Sequence, residues 1–359
     1  MLRKVDFLNH KTNTLLKYFE NYLQSIKNLP VGTSFVEAHC PDNQIRKYIK
    51  SDNAGKANEL KKKFIAFQKS FLDLVANDRS TFLKIFKESN GIDWLLKNPE
   101  KATRIGGYPG DTGKWCHDLL VYLFSNTIKN DEYDVKGHYK EFYDSLTNRW
   151  CPFCGMEYYK VPERQKEDYD HLLCKKEYPA AAINMRNLIA MGEGCNRRYK
   201  KGDDVLTCLG KATKIVNPFL ENIEPSLNLK GSKLHSSDSK CKWVVNVSPK
   251  TDKVKAWNKI FKIDERIKEE YLVKRPNSKQ DPEFRNIIYT YVQTLRSARK
   301  VGGRQWTWVE VDLMFRDHID LLKSQYFRDS CMFKAALFEL ILDEADNTYQ
   351  QALLSMINN

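Results

Sequence analysis

The sequence predicts an α+β protein dominated by helices, and three observations lead there. Over the first 145 residues apolar side chains recur at three- and four-residue intervals, the signature of helices with one buried face. The second half returns to that spacing from Val254 to about Leu272, Glu283 to Arg299, Val309 to Tyr326 and Cys331 to about Ile357. Between the two halves, from Trp150 to Asp204, short groups of chemistry-bearing residues replace helical periodicity as the dominant signal.

The N-terminal segment, 1–145, reads as a helical domain. Leu15, Leu16, Phe19, Leu23 and Ile26 define one stripe, broken by Pro30 and Gly32; Leu60, Phe64, Phe67, Phe71, Leu72 and Val75 define the next. Asp78-Arg79-Ser80 is the expected cap of a helix through Phe82, Leu83, Ile85 and Phe86, which Asn90-Gly91 ends. The stretch Gly106 to Lys114 imitates a phosphate-binding loop but has Tyr108 and Trp115 where the pattern needs glycine and a hydroxyl, so it reads as a turn-rich connection in which His117 has no evident partner. Farther along, Leu220 to Ser239 reads as a loop, and Trp243 to Val247 as a short strand stopped by Ser248-Pro249. The closing segment, with Phe333, Leu337, Leu340 and Ile341 on one side and acidic residues on the other, reads as an amphipathic helix.

The central stretch contains, in order, Cys151-Pro152-Phe153-Cys154-Gly155, Asp170-His171-Leu172-Leu173, Lys175-Lys176-Glu177-Tyr178-Pro179, Asn187-Leu188-Ile189 and Cys195-Asn196, the last followed by Lys200-Lys201-Gly202-Asp203. Each group alone is weak, but their order and spacing resemble the HNH endonucleases, in particular a bacterial subgroup with a CPxCG, DHxLPKxxYP, NLIPxCxxCNxxKGD core. Val216-Asn217-Pro218-Phe219 matches that family's usual continuation. The resemblance implies a ββα-metal module, here placed at 146–210, between the helical domain 1–145 and a mainly helical region 211–359. It implies His171 as general base, Asn187 orienting its ring, and Asp170 with Asn196 holding one divalent cation, Mg²⁺ with Mn²⁺ or Ni²⁺ as substitutes. A carboxylate, an imidazole and an amide are the groups that such hydrolysis needs. Lys200 and Lys201, with Arg197 and Arg198, would meet phosphates of the substrate, although the two arginines read equally as a solvated helix face.

Two departures stand out. The family carries a second Cys-x-x-Cys whose first member is here Gly192, so three matching thiols remain: Cys151, Cys154 and Cys195. Three thiolates do not close a tetrahedral structural zinc site, so another ligand is borrowed, or the zinc is weak, or it has been lost; Cys174, which stands where the family has proline, is the first candidate to be borrowed, with Cys208 as runner-up. Ala190 also replaces a proline. Since Asp170, His171, Asn187 and Asn196 all remain, the departures bear on zinc more than on cleavage.

Composition adds partners. The chain of 359 residues has a formal net charge of +13, unevenly placed. Residues 240–304 hold 17 Lys and Arg against 7 Asp and Glu, a net of +10, while 309–359 hold 4 against 9, a net of −5. The basic segment interleaves Trp243, Trp257, Phe261 and Tyr271, a pattern that suits a nucleic-acid surface. No apolar run is long enough for a membrane span and the N-terminus turns polar at once, so a cytoplasmic protein with reduced thiols is expected. The resemblance makes DNA the expected substrate and a bacterial anti-phage or restriction system the expected setting, with an ATPase or other defence protein as partner. The alternative is a decayed HNH scaffold that binds nucleic acid or a partner.

Overall fold

The computed structural model describes residues 3–50, 56–129, 133–235, 240–274, 281–325 and 328–359. Helices dominate, and the strands form two small antiparallel sheets. Contacts group the chain into two units: one holds Lys4–Arg149 and Tyr159–Glu221, the other Asn222–Asn359, Trp150–Tyr158 and Arg3. Three segments were expected from the sequence; the contacts place 159–221 with the N-terminal helices.

In the first unit, α1 (Thr14–Ile26), α2 (Asn43–Lys50), α3 (Lys56–Leu72), α4 (Ala76–Ser89), α5 (Ile92–Leu95), α6 (Thr112–Tyr122) and α7 (Val135–Ser145) follow one another. The apolar stripes read from the sequence face inward: Leu15, Phe19, Leu23 and Ile26 of α1 meet Leu60, Phe64, Phe67 and Phe71 of α3 in one core, with Phe82 and Phe86 of α4. Asp78 does not cap α4; the helix begins two residues earlier at Ala76, which leaves Asp78 in the first turn, where a carboxylate complements the exposed N–H groups. The Gly106 to Lys114 stretch makes a turn leading into α6, and His117 meets Asp118 at 3.2 Å.

Strand β1 (Tyr169–His171) pairs antiparallel with β2 (Leu188–Ala190), Asp170 opposite Ile189 and His171 opposite Leu188. The loop between them is drawn into the helical core, where Ala180, Ala182, Ile183 and Met185 are buried with α3 and α6 residues. A π-helical segment, Gly194–Lys200, follows β2.

In the second unit, β3 (Ser226–Asn228) pairs antiparallel with β4 (Asn246–Ser248), so the stretch after Leu220 is partly a strand; residues 236–239 at its end lie outside the described residues. The helix expected from Val254 to Leu272 is interrupted: α8 (Asp252–Phe261) ends at Lys262 with φ +49°, and α9 (Ile263–Ile267) runs into a π-helical turn, Lys268–Leu272. Next come α10 (Glu283–Gly302), closed by Gly303 at φ +71°, and α11 (Trp308–Ser324); the expected helix end at Tyr326 lies outside the described residues.

The amphipathic C-terminal helix is two helices, α12 (Cys331–Glu344) and α13 (Asn347–Asn358), because Asp346 caps a new start through the Tyr349 N–H at 2.8 Å. Nor is α12 two-sided: Met332, Phe333, Ala336, Phe338 and Ile341, on several faces, are all buried, so it is the central helix of this unit. The aromatics of the basic segment are also structural. Trp257 and Phe261 are buried, and the Trp257 indole donates to the Phe153 carbonyl at 2.6 Å, so neither ring is available to stack on a base.

Phe67 is fully buried and its ring lies 5.7 Å from those of Phe19 and Phe82 and 6.1 Å from Phe71. Truncation there opens a cavity that neighbouring rings cannot fill, so Phe67→Ala costs about 3–5 kcal/mol, read as a lowered urea midpoint with an unchanged slope.

Candidate active site

Asp170 and His171 occupy consecutive positions at the end of β1, and each is fixed by a different part of the same unit. The His171 ring is buried, and its Nε2 lies 2.9 Å from the Ala182 carbonyl. A carbonyl only accepts, so Nε2 carries the hydrogen and Nδ1 keeps its lone pair. Phe124, in the π-helical turn Leu123–Thr127 after α6, meets this ring edge to face at 4.4 Å. Burial holds the imidazole neutral down to about pH 3, with Lys175 and Lys200 pushing the same way and the Ala182 carbonyl opposing.

Asn187 differs from its expected role. Its side chain does not orient the His171 ring; fully buried, it accepts from the Leu173 N–H at 2.7 Å and donates to the carbonyls of Leu173 and Ala181 at 3.0 and 3.1 Å. An amide has both donors and acceptors, so one side chain can satisfy two passes of the loop backbone. It acts on His171 at one remove, by holding the peptide next to the Ala182 carbonyl.

Lys200 also departs from expectation. Instead of reaching for phosphates it is 1% exposed, its ammonium donating to the His171 carbonyl at 2.7 Å and lying 2.8 Å from Asp170 Oδ2. The second contact is a buried ion pair, with the ammonium directly beside Asp170 Oδ2. The π-helical winding of Gly194–Lys200 accompanies this inward placement, closing with the Lys201 N–H on the Asn196 carbonyl at 2.8 Å. Burial pushes the Asp170 carboxyl upward, against Lys200, the His171 backbone and Lys175, which favour the charged form.

Asn196, on the same segment, is half-buried and lines a cavity with Tyr169 and Asp168. Lys201 and Arg198 are exposed, while the exposed Arg197 pairs with Asp168 at 2.5 Å and Glu193 at 3.7 Å. The sequence reading had no role for Phe124, 47 positions upstream, or for half-buried Lys175, whose ammonium lies 5.0 Å from the Phe124 ring and which responds to the charge of Asp170. The position of Lys175 inside the quoted motif was the available signal for it; Phe124 had none. Tyr178 was likewise overlooked: its hydroxyl and Arg104 both bond Asp204 and close the loop.

In the cysteine turn, the Gly155 N–H bonds the Cys151 carbonyl at 2.8 Å and the Met156 N–H points to Cys154 Sγ at 3.4 Å; Gly155 has φ +65°, a conformation that favours glycine. Cys151 and Cys154 of this turn are buried, and so is Cys195 in the π-helical segment. Cys174 is buried as well, and Cys208 is half-buried. Cys174 is engaged in its own turn, its carbonyl accepting from the N–H groups of Glu177 and Tyr178.

No family model matches the chain, and no curated protein or solved structure is significantly similar to it. No helix among the described residues is long and apolar enough to cross a membrane.

Removing one partner from a buried ion pair leaves an uncompensated charge. Lys200→Met should therefore lower unfolding free energy by about 3–5 kcal/mol in chemical denaturation, and adding Asp170→Asn should restore part of the loss.

Proposed function

We propose that this chain is a metal-dependent endonuclease of the HNH type that hydrolyses phosphodiester bonds in DNA. The observation that carries the reading is the anchoring of His171: a neutral ring, its Nε2–H committed to the Ala182 carbonyl, with Nδ1 left as the proton acceptor. The order strand, strand, helix around Asp170, His171 and Asn196 supports it.

Asp170 and Asn196 would hold the cation, and the donor set fits. Asp170 is a buried carboxylate that already draws one cation, the Lys200 ammonium, to Oδ2, and carboxylate plus amide oxygens suit a hard ion such as Mg²⁺. When bound, a divalent ion supplies charge stabilisation to the phosphoryl oxygens and the leaving oxygen. The residues of the chain do the rest. His171 Nδ1 takes a proton from a water molecule, whose oxygen forms the new bond to phosphorus as the bond to the 3′ oxygen breaks, and that oxygen leaves to be protonated by solvent. Phe124 and the Ala182 carbonyl hold the ring in place for the transfer. Lys175 lies where a cation can meet a phosphate. Zinc on Cys151, Cys154 and Cys195 would brace the module, with the fourth ligand unassigned. By the same resemblance the setting is a cytoplasmic bacterial defence or restriction system, with an ATPase or similar protein as partner.

One observation favours the scaffold reading: the Lys200 ammonium already stands beside Asp170, where a decayed site would substitute a fixed cation for the metal. Plasmid cleavage separates the two. The nuclease reading predicts nicking or linearisation with Mg²⁺ or Mn²⁺ that stops in EDTA and falls about 10²–10⁴-fold in His171→Ala. A folded wild-type protein inert with both ions would support the scaffold.

A further inference from the structure

Beside the candidate active site the first unit contains a cavity of about 250 Å³ that shares only Asn196 with the proposed hydrolytic residues. Its walls are apolar and aromatic, with Phe124, Ile128, Val135, Tyr169, Met185 and Leu188. Its rim is polar and mostly cationic: Lys129, Lys166 and Arg197 stand with Asp168 and Asn196.

Three features give this cavity a chemistry. Its size lies just under the ~300–1,000 Å³ of clefts that enclose whole small ligands, room for one planar heterocycle and not for a base pair. The cations at its mouth are crowded: burial first, then the charges of Lys129 and Lys136, disfavour the charged form of half-buried Lys166 against the pull of Asp168, and burial and Lys129 act the same way on Lys175 against Asp170. Anionic charge brought to this mouth would offset the mutual repulsion of these lysines. Finally, the cavity abuts the reaction centre on two sides, since Phe124 also packs on His171 and Asn196 is the proposed metal ligand. Both residues sit on π-helical segments, an uncommon winding that recurs at functional sites.

We infer that this cavity receives a single unpaired nucleobase of the substrate, stacked among Phe124 and Tyr169, while the flanking phosphates rest on Lys129, Lys166 and Lys175. The inference rests on the nuclease reading and sharpens it: the substrate is single-stranded, or has a base turned out of the duplex next to the scissile bond.

Binding to hexathymidylate and to an abasic hexamer with the same phosphates isolates the base, because charge is equal in the two probes. Measured by fluorescence anisotropy in EDTA, wild-type protein should prefer hexathymidylate at least about tenfold. Val135→Phe, which enlarges a side chain of the cavity wall, should reduce hexathymidylate to the abasic level. Lys129→Glu should weaken both probes alike. Photocrosslinking of a 4-thiothymidine hexamer should map to Phe124 or Tyr169, which localises the base without relying on any variant. Equal affinity of wild type for the two hexamers, a folded Val135→Phe that binds as wild type does, or crosslinks confined to other residues would overturn the inference. Plasmid cleavage run alongside separates the two levels: cleavage without base preference removes the base pocket and leaves the nuclease, whereas base preference without cleavage keeps the pocket and removes the hydrolytic reading.

Discussion

The candidate site depends on one buried charge. Asp170 lies at the end of a three-residue strand with almost no access to water, and a carboxylate there needs a cation. Lys200 answers from the following helical segment and, with the same ammonium, holds the His171 carbonyl. One side chain thus ties the helix to the strand, holding the Asp170 carboxylate and the His171 carbonyl together. A two-stranded ribbon this short is marginal by itself. Its geometry comes from that ion pair, from the Asn187 amide bridging the loop, and from the helical core beneath.

That core explains why residues 159–221 group with the N-terminal helices. The loop between β1 and β2 buries Ala180, Ala182, Ile183 and Met185 against α3 and α6, and Ala182 is the residue whose carbonyl fixes His171. Packing of the helical domain is therefore transmitted to the His171 ring through one peptide group. Phe124 adds a second link, because the π-helical turn that ends α6 sets its ring against the imidazole. Rigid elements hold the His171 ring here, which is what the proposed role of a general base in a fixed tautomer requires.

Much of this was legible in the residues. Helical stripes in the first half and in α10 and α11 were visible because burial on one face writes a period into the sequence, and Phe19, Phe64 and Phe67 fall inside as their spacing says. The break between α12 and α13 was missed because Ala345-Asp346 looks like helix until the Asp346 cap is seen. The all-round burial of α12 erases the period that exposes a helix to sequence reading. At the site, adjacency in sequence exposed Asp170 and His171, but it could not show that Lys200 turns inward or that Asn187 bonds backbone. Lysine and asparagine serve solvent, ligand or backbone equally well, and only the fold chooses. Trp257 and Phe261 teach the same lesson: aromatics among lysines are compatible with a stacking surface and with a core, and here they belong to the core.

The account turns on whether Asp170, already paired with Lys200, also takes a metal. Anomalous diffraction from crystals soaked in Mn²⁺ addresses this directly. A manganese peak at about 2.0–2.2 Å from side-chain oxygens of both Asp170 and Asn196, with Lys200 still on the His171 carbonyl, is the predicted result. Manganese absent from that position, with the lysine as the sole cation at Asp170, would contradict it.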